Sequence, residues 1–387
     1  MKGSIRQRGE TFTVYWFVSD PASGKRVQHS KGGFERLEPR RPAKGDSARE
    51  FLNTIMGSVQ EGAWRPDAAL TVKQLLLDHW LPAKRSENLR PSTLAQYANA
   101  VDYWIVPNLG GVKVKALRPL DVQNMVEKMC NEKSSTGRDG LSARSASLAV
   151  GTLKTACAWA TENGMLSRNP VATIRRPKVE AKPMASWSVT DARAFLTATS
   201  KDRLAVGWAL LLTRGIRRGE ACGLRWDAVD LEGGTIKIVS TRVVVDGKAI
   251  TSAPKTNAGK RSVPLDPSLV KLLKSHQTKQ GAEKLAAGEA YKDEGYVLAN
   301  ELGAPYHPDT ISTWFETAVK DAKLPKIRLH DTRHTAASLM LASGVQPKIV
   351  SELLGHSNIS ITLSIYAHVM PGMAEEAGAA LSASLLG

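Results

Sequence analysis

The residues best suited to chemistry are polar groups clustered near the end of the 387-residue chain. His330-Asp-Thr-Arg333-His334 opens a helix-like segment, so His330 and Arg333 fall at i, i+3 on one face. Leu353-Leu-Gly-His356-Ser follows, then Ser364-Ile-Tyr366-Ala-His368. Upstream, Thr213-Arg-Gly-Ile-Arg217-Arg-Gly-Glu220 puts a guanidinium at a glycine-bounded turn entering a helix, and Pro254-Lys255-Thr256 lies in a β-rich patch. Two guanidiniums and two imidazoles around one point suit a phosphate whose charge grows in an in-line transition state. Arginine donates in a fixed fork to phosphate oxygens and stays charged at every relevant pH. A tyrosine hydroxyl can then attack covalently. A lysine can protonate the departing alkoxide if cationic neighbours lower its pKa; Lys260 is a second candidate for that role beside Lys255. Such a site needs no metal. A zinc reading of His330, His334, His356 and His368 fails on the intervening residues: no HExxH glutamate or cysteine ligand is present, and Arg333 would repel the ion.

These residues need elements to position them. Thr11–Val18 reads as a strand, Asp20–Gly24 as a turn and Lys25–His29 as a second strand. Asp46–Gly62 then reads as a helix, with Pro39–Pro42 as an interrupting loop. Four amphipathic helical stretches follow, Leu70–Trp80, Ser92–Val106, Leu120–Cys130 and Ala143–Asn163, with Trp80, Tyr97, Tyr103, Trp104 and Trp159 as expected core aromatics. Residues 174–187 hold basic residues and prolines without periodicity and read as a linker. Beyond it, Ser188 and Asp191 have capping-box spacing. Thr235–Ser240, Arg242–Val245 and Arg261–Leu265 are strand-like around an Asp246-Gly247 hairpin signal, and helices return from about Pro308.

Composition points to the partner. Lys+Arg number 53 against 37 Asp+Glu, a formal charge of +16. The excess is spread as +4 over residues 1–67, +7 over 68–180 and +5 over 181–387, unlike a single basic tail. A polyanion, most simply nucleic acid, is the expected partner, each segment with its own contact. A hydrophobic content of 42% with 23% charged residues excludes wholesale disorder. Cys130, Cys157 and Cys222 are too few and scattered for a disulfide framework, which fits a reducing cytoplasm. No apolar run reaches the ~18–20 residues of a membrane span, and the N-terminus lacks a signal-peptide core.

Gly215-Ile-Arg217-Arg-Gly-Glu220, Lys255, His330-x-x-Arg333, Leu354-Gly-His356 and Tyr366, ten residues past His356, resemble in order and spacing the active-site boxes of the tyrosine recombinase (phage integrase) family. Of Arg214, Arg217 and Arg218, the Gly-x-Arg-x-x-Glu spacing selects Arg217. The resemblance implies a multidomain, mainly α chain with small β elements. Its parts would be a small sheet plus helix binding arm-type DNA (1–66), a helical SAM-like core-site-binding domain (68–173), a linker (174–187) and a mixed α+β catalytic domain (188–387).

The resemblance also implies roles. Tyr366 would attack the scissile phosphate, giving a 3′-phosphotyrosyl link and a free 5′-hydroxyl. Arg217 and Arg333 would clamp the non-bridging oxygens, and Lys255 would be the general acid. His330 would assist proton transfer at Tyr366, His356 would bond a non-bridging oxygen, and Glu220 would orient the arginines. Candidate DNA contacts are Lys2, Arg6, Arg8, Lys25, Arg26, Arg175, Arg176 and Lys178. The implied activity is site-specific recombination without metal, ATP or other cofactor, on double-stranded attachment sites of core and arm type, in the cytoplasm of a bacterial host. A free monomer would assemble into a synaptic tetramer, with a directionality factor and a DNA-bending host protein as further partners. The apolar face of Met373, Ala377, Ala380, Leu381 and Leu385 reads either as an ordinary C-terminal helix or as one docked on a neighbouring protomer. A DNA-binding regulator of the same fold and a type IB topoisomerase are the rivals. The full polar set argues against the first, and the added N-terminal module against the second.

Overall fold

The computed structural model describes residues 3–19, 26–35, 37, 47–60, 70–87, 89–131, 140–166, 168–177, 185–254, 259–356, 358–366, 379 and 382–386. The chain divides into two compact units, Met1–Glu180 and Ala181–Gly387.

The first unit opens with an antiparallel sheet of Ser4–Arg8, Thr11–Ser19 and Arg26–Phe34. Alternation along the middle strand sends Val14 and Trp16 to one face, where Phe51, Leu52 and Ile55 of helix Ala48–Gln60 cover them. The segments 20–25 and 38–46, with the expected turn and the proline loop, lie outside the described residues.

The helical stretches of this unit match the amphipathic pattern. Two of them contain widened turns. Leu75–Trp80 and Ala100–Ile105 bond i→i−5 at their ends, Leu81 N–H to the Leu76 carbonyl and Val106 N–H to the Val101 carbonyl. Pro82 and Pro107, each two residues beyond, explain this. A proline lacks the N–H for the usual bond, and its ring collides with the carbonyl four residues back; widening the preceding turn relieves both. Pro119–Asn131 and Ala143–Glu162 complete the bundle around Trp80, Leu76, Val150 and Leu153. Tyr97, Trp104 and Trp159 pack against this core, but Tyr103 does not: it is 72% exposed. Ala100, Val101 and Ile105 are the buried residues of that turn, and Tyr103, two positions from both Val101 and Ile105, points roughly away from the side those two share.

The core of the second unit begins at Trp187. The Ser188–Asp191 box is formed, Asp191 N–H donating to Ser188 Oγ at 3.1 Å and Ser188 N–H to Asp191 Oδ2 at 3.1 Å. Trp187, Phe195, Trp208 and Phe315 build the aromatic centre of its core. Through it runs helix Ala205–Arg214, with every residue from Val206 to Leu212 buried. A helix apolar on all faces must be internal, and a charged residue anchors each of its ends. Arg203 donates to the Ala299 carbonyl at 2.8 Å and pairs with Glu283; Arg214 donates to the Pro264 carbonyl at 2.7 Å and pairs with Asp266.

The β-rich patch resolves into two sheets. Thr241–Val245 and Lys248–Ser252 form the Asp246-Gly247 hairpin, whereas Arg261–Pro264 pairs with Thr235–Ile238, which also pairs with the short Val229–Asp230. Helices Pro267–Ala287, Pro308–Asp321, Asp331–Ala342, Pro347–Leu354 and Ile359–Tyr366 follow. Ala337, Leu341, Val350 and Leu354 pack Asp331–Ala342 onto Pro347–Leu354. Among the described residues no helix is long and apolar enough to cross a membrane.

Candidate active site

The site is built on the C-terminal end of helix Pro347–Leu354. The last carbonyls of a helix have no partner within it and carry its negative dipole end. Here three guanidiniums meet three consecutive carbonyls. Arg261 Nε donates to Leu353 O at 2.6 Å, Arg333 Nη2 to Leu354 O at 2.5 Å and Arg217 Nη2 to Gly355 O at 3.1 Å. Cationic donors satisfy these groups better than water can. Gly355 closes the helix in the left-handed conformation, at φ 66°, and turns the chain so that His356 follows directly after the cluster.

Each arginine comes from a different element. Arg217 caps the short helix Arg218–Gly223, and the Glu220 side chain reaches back to the Arg217 N–H at 2.9 Å and to Nη1 at 2.7 Å. Glu220 is 3% exposed and is shared with Arg261, whose Nη1 and Nη2 lie 3.1 and 2.9 Å from its two oxygens. Burial pushes the Glu220 carboxyl up, but the hydrogen bonds and charge of Arg261, with those of Arg217, outweigh it and hold the group below its ordinary value. Arg333, 4% exposed, also donates to the Gly215 carbonyl at 2.8 Å, tying helix Asp331–Ala342 to the turn before Arg217. Gly215 makes that turn possible. Its φ is +60°, and a Cβ there would sit 2.4 Å from Leu354 Cδ2.

His330 stands at the N-terminus of helix Asp331–Ala342. Asp331 fixes this corner, accepting from Arg328 N–H at 2.8 Å and from Arg328 Nη2 at 2.8 Å. Although His330 keeps an exposed surface, crowding of its ring and then the Arg333 charge hold it below its usual value. His334, edge-on to His330 with ring centroids 5.4 Å apart, is lowered by burial and by His330. His356 is pushed down to about 4, by burial first and then by Arg333 and Arg217. A histidine held this way is neutral at pH 7, able to accept a proton or donate one hydrogen bond.

His356 Nδ1 lies 2.8 Å from the hydroxyl of buried Thr362 in helix Ile359–Tyr366. Thr362 and Tyr366 are at i, i+4, so Tyr366 closes the helix one turn beyond the residue that meets His356. The side chain of Tyr366, and all of Lys255, lie outside the described residues. The hairpin strand Lys248–Ser252 ends three residues before Lys255. Lys260 is exposed.

The structure therefore brings together Arg217, Glu220, Arg333 and His356, with His330 on the helix carrying Arg333. It separates Arg217 from its neighbours in sequence. Arg214 holds Pro264 and Asp266, and Arg218 bonds Asp309 at 2.9 Å and Ser312 at 2.8 Å. Sequence reading missed Arg261, Asp331 and Thr362. A strand arginine preceding Ser-Val-Pro gives no local sign that it is buried against a glutamate 41 positions away. Of the candidate DNA contacts, Arg6, Arg8, Arg175 and Arg176 are exposed, Arg6 lying over the Tyr15 ring at 5.2 Å. Lys2, Lys25, Lys178 and the Arg26 side chain lie outside the described residues, as do most of the C-terminal apolar face and His368.

Comparison with known proteins gives a consistent picture. Residues 190–372 match the phage integrase family, and residues 74–130 match the phage integrase N-terminal SAM-like domain. A tyrosine recombinase XerC-like protein of Caldanaerobacter subterraneus is 29% identical over 316 residues, covering 76% of this chain and 79% of that protein. An integrase of Streptomyces ambofaciens is 25% identical over 357 residues, covering 90% of this chain and 86% of that one. Among solved structures, the Tn1549 transposon integrase in complex with transposon right-end DNA superposes with a TM-score of 0.66 at 21% identity, covering 82% of this chain and all of that one. A lambda integrase dimer bound to a COC′ core site gives 0.57 at 17% identity, covering 94% of each chain.

Proposed function

This chain belongs to the phage integrase family of tyrosine recombinases, and from that premise we propose how its residues cleave and rejoin DNA. Tyr366 attacks a scissile phosphate, forming a 3′-phosphotyrosyl bond as the bond to the 5′-oxygen breaks. Neutral His330 accepts the tyrosine proton. Lys255 protonates the departing 5′-oxygen. Arg217 and Arg333 hold the non-bridging oxygens, with His356 donating a hydrogen bond to one of them. Glu220 fixes the Arg217 fork. The covalent bond conserves the phosphodiester, so a second 5′-hydroxyl can reseal the strand without ATP.

The observation that carries this reading is the meeting of Arg217 and Arg333, 116 residues apart in sequence, on adjacent carbonyls of one helix end beside His356. A DNA-binding regulator has no need to converge one buried and one open guanidinium and a neutral imidazole on the helix preceding a tyrosine.

The substrate is double-stranded DNA carrying core-type sites, contacted by the helical domain at 68–173 through residues including Arg175 and Arg176 just beyond it. Arm-type sites are contacted by 1–66 through Arg6 and Arg8. The linker is 174–187 and the catalytic domain 188–387. Recombination proceeds in a tetramer in the cytoplasm of a bacterial host. A suicide substrate carrying the cognate site tests the chemistry. A covalent adduct that survives SDS and EDTA, and that disappears in Tyr366→Phe, supports the assignment; an adduct persisting in that variant sinks it.

A further inference from the structure

We propose that Arg261, on the strand Arg261–Pro264, is a positioning residue for strand cleavage, holding Arg217 and the turn before His356 in one register without touching DNA. This rests on the recombinase reading above. Arg261 has a side chain only 7% exposed, and its donors are directed inward: Nε to Leu353 O at 2.6 Å, Nη1 to Glu220 at 3.1 Å and to Gly259 O at 3.3 Å, Nη2 to Glu220 at 2.9 Å. It therefore bridges two parts of the site that no backbone connects closely, the Arg217–Glu220 corner and the end of helix Pro347–Leu354.

Charge gives the bridge its purpose. Glu220 bonds both Arg217 and Arg261. A carboxylate facing Arg217 alone would neutralise it and compete with a phosphate for its fork. Shared between two guanidiniums, the same carboxylate leaves the trio with one net positive charge, while still orienting Arg217. Arg217 is the open partner, with a side chain 39% exposed, and Arg261 is the sealed one. The sealed arginine thus holds the carboxylate, and the open one can turn charge toward DNA. Geometry matters as well as charge, because the planar fork reaches Glu220 and Leu353 simultaneously. A lysine ammonium at this place would keep the charge but lose the bidentate arrangement.

The test measures cleavage of a suicide substrate at saturating protein, separately from site affinity and its salt dependence. Arg261→Gln is expected to cleave about 100-fold more slowly and Arg261→Lys about 10-fold more slowly, the scale of a lost transition-state contact. Affinity is expected to stay within about twofold and the log–log salt slope to stay unchanged, since a lost phosphate contact would lower that slope by about 0.9. Glu220→Gln combined with Arg261→Gln is expected to be no slower than the slower single variant, because both remove one interaction. Arg261→Lys cleaving at the wild-type rate would overturn the inference, as would affinity falling in step with rate or losses that multiply in the double variant. If Arg261→Gln does not fold, Arg261→Lys carries the test. Tyr366→Phe runs in parallel. Wild-type protein without an adduct would sink the recombinase reading and this inference with it. A wild-type adduct alongside a fully active Arg261→Lys would sink this inference alone.

Discussion

At the scale of single residues, the cluster works because arginine is the one side chain that stays charged while buried against carbonyls. Arg217→Ala is expected to slow cleavage roughly 100- to 1,000-fold, with site affinity largely kept. A gel-shift titration beside the adduct assay checks this, and an equal fall in both would make Arg217 an affinity residue. His356 supports a second expectation. Its folded pKa is about 4 against an ordinary 6.5. Below pH 6.5 the unfolded chain takes a proton that the folded site refuses, so this stabilisation is complete above 6.5 and is lost as pH falls toward 4. The effect is at most about 3 kcal/mol. Urea unfolding of the free protein at pH 7.5 and 4.5 measures it, and His356→Gln is expected to flatten that arm of the curve. His330 and His334 are lowered as well and contribute with the same sign.

At the scale of elements, turns decide where the charged groups arrive. Gly215 ends the buried helix Ala205–Arg214 at φ +60°, and its missing side chain lets Leu354 and Ala336 approach. Gly215→Ala is expected to cost more than about 2 kcal/mol, the left-handed penalty plus a clash. Gly344 supplies the control, at φ +80° with open space for 4 Å around the place a Cβ would take; Gly344→Ala is expected to cost only about 1–2 kcal/mol. Thermal unfolding of the two variants compares them directly. Most elements could be read from periodicity and capping, as with Ser188–Asp191 and the Asp246-Gly247 hairpin. Tyr103 could not. Its aromatic ring suggests a core residue, but it lies two positions from both Val101 and Ile105, on the side of the helix away from them.

At the scale of the whole molecule, the formal charge of +16 is shared among segments. DNA affinity is therefore expected to fall steeply with salt, with a log–log slope of about 0.9 per phosphate neutralised. Removing residues 1–66, which include the exposed Arg6 and Arg8, is expected to lower that slope on a site carrying arm and core sequences. Adduct formation on a core-only site is expected to persist. Fluorescence anisotropy across a salt series, with the adduct assay beside it, separates the two effects. An unchanged slope would show that 1–66 makes no phosphate contact.

The amino-acid sequence by itself determined the reaction class, a tyrosine recombinase, and the candidate set behind the proposed arginine clamp and tyrosine nucleophile, because residue types, their order and their spacing belong to the chain and not to its packing. Periodicity and capping likewise determined most helices, since they act over a few neighbouring residues. Spacing singled out Arg217, but only the tertiary structure decided which partner each arginine meets and brought Arg261 into the cluster. Of these arginines Arg214 faces Asp266 and Arg218 faces Asp309, while Arg217 and Arg261 share Glu220 and reach a helix end more than 90 residues away. Partners that distant leave no local pattern, because burial and charge pairing are settled by how elements pack.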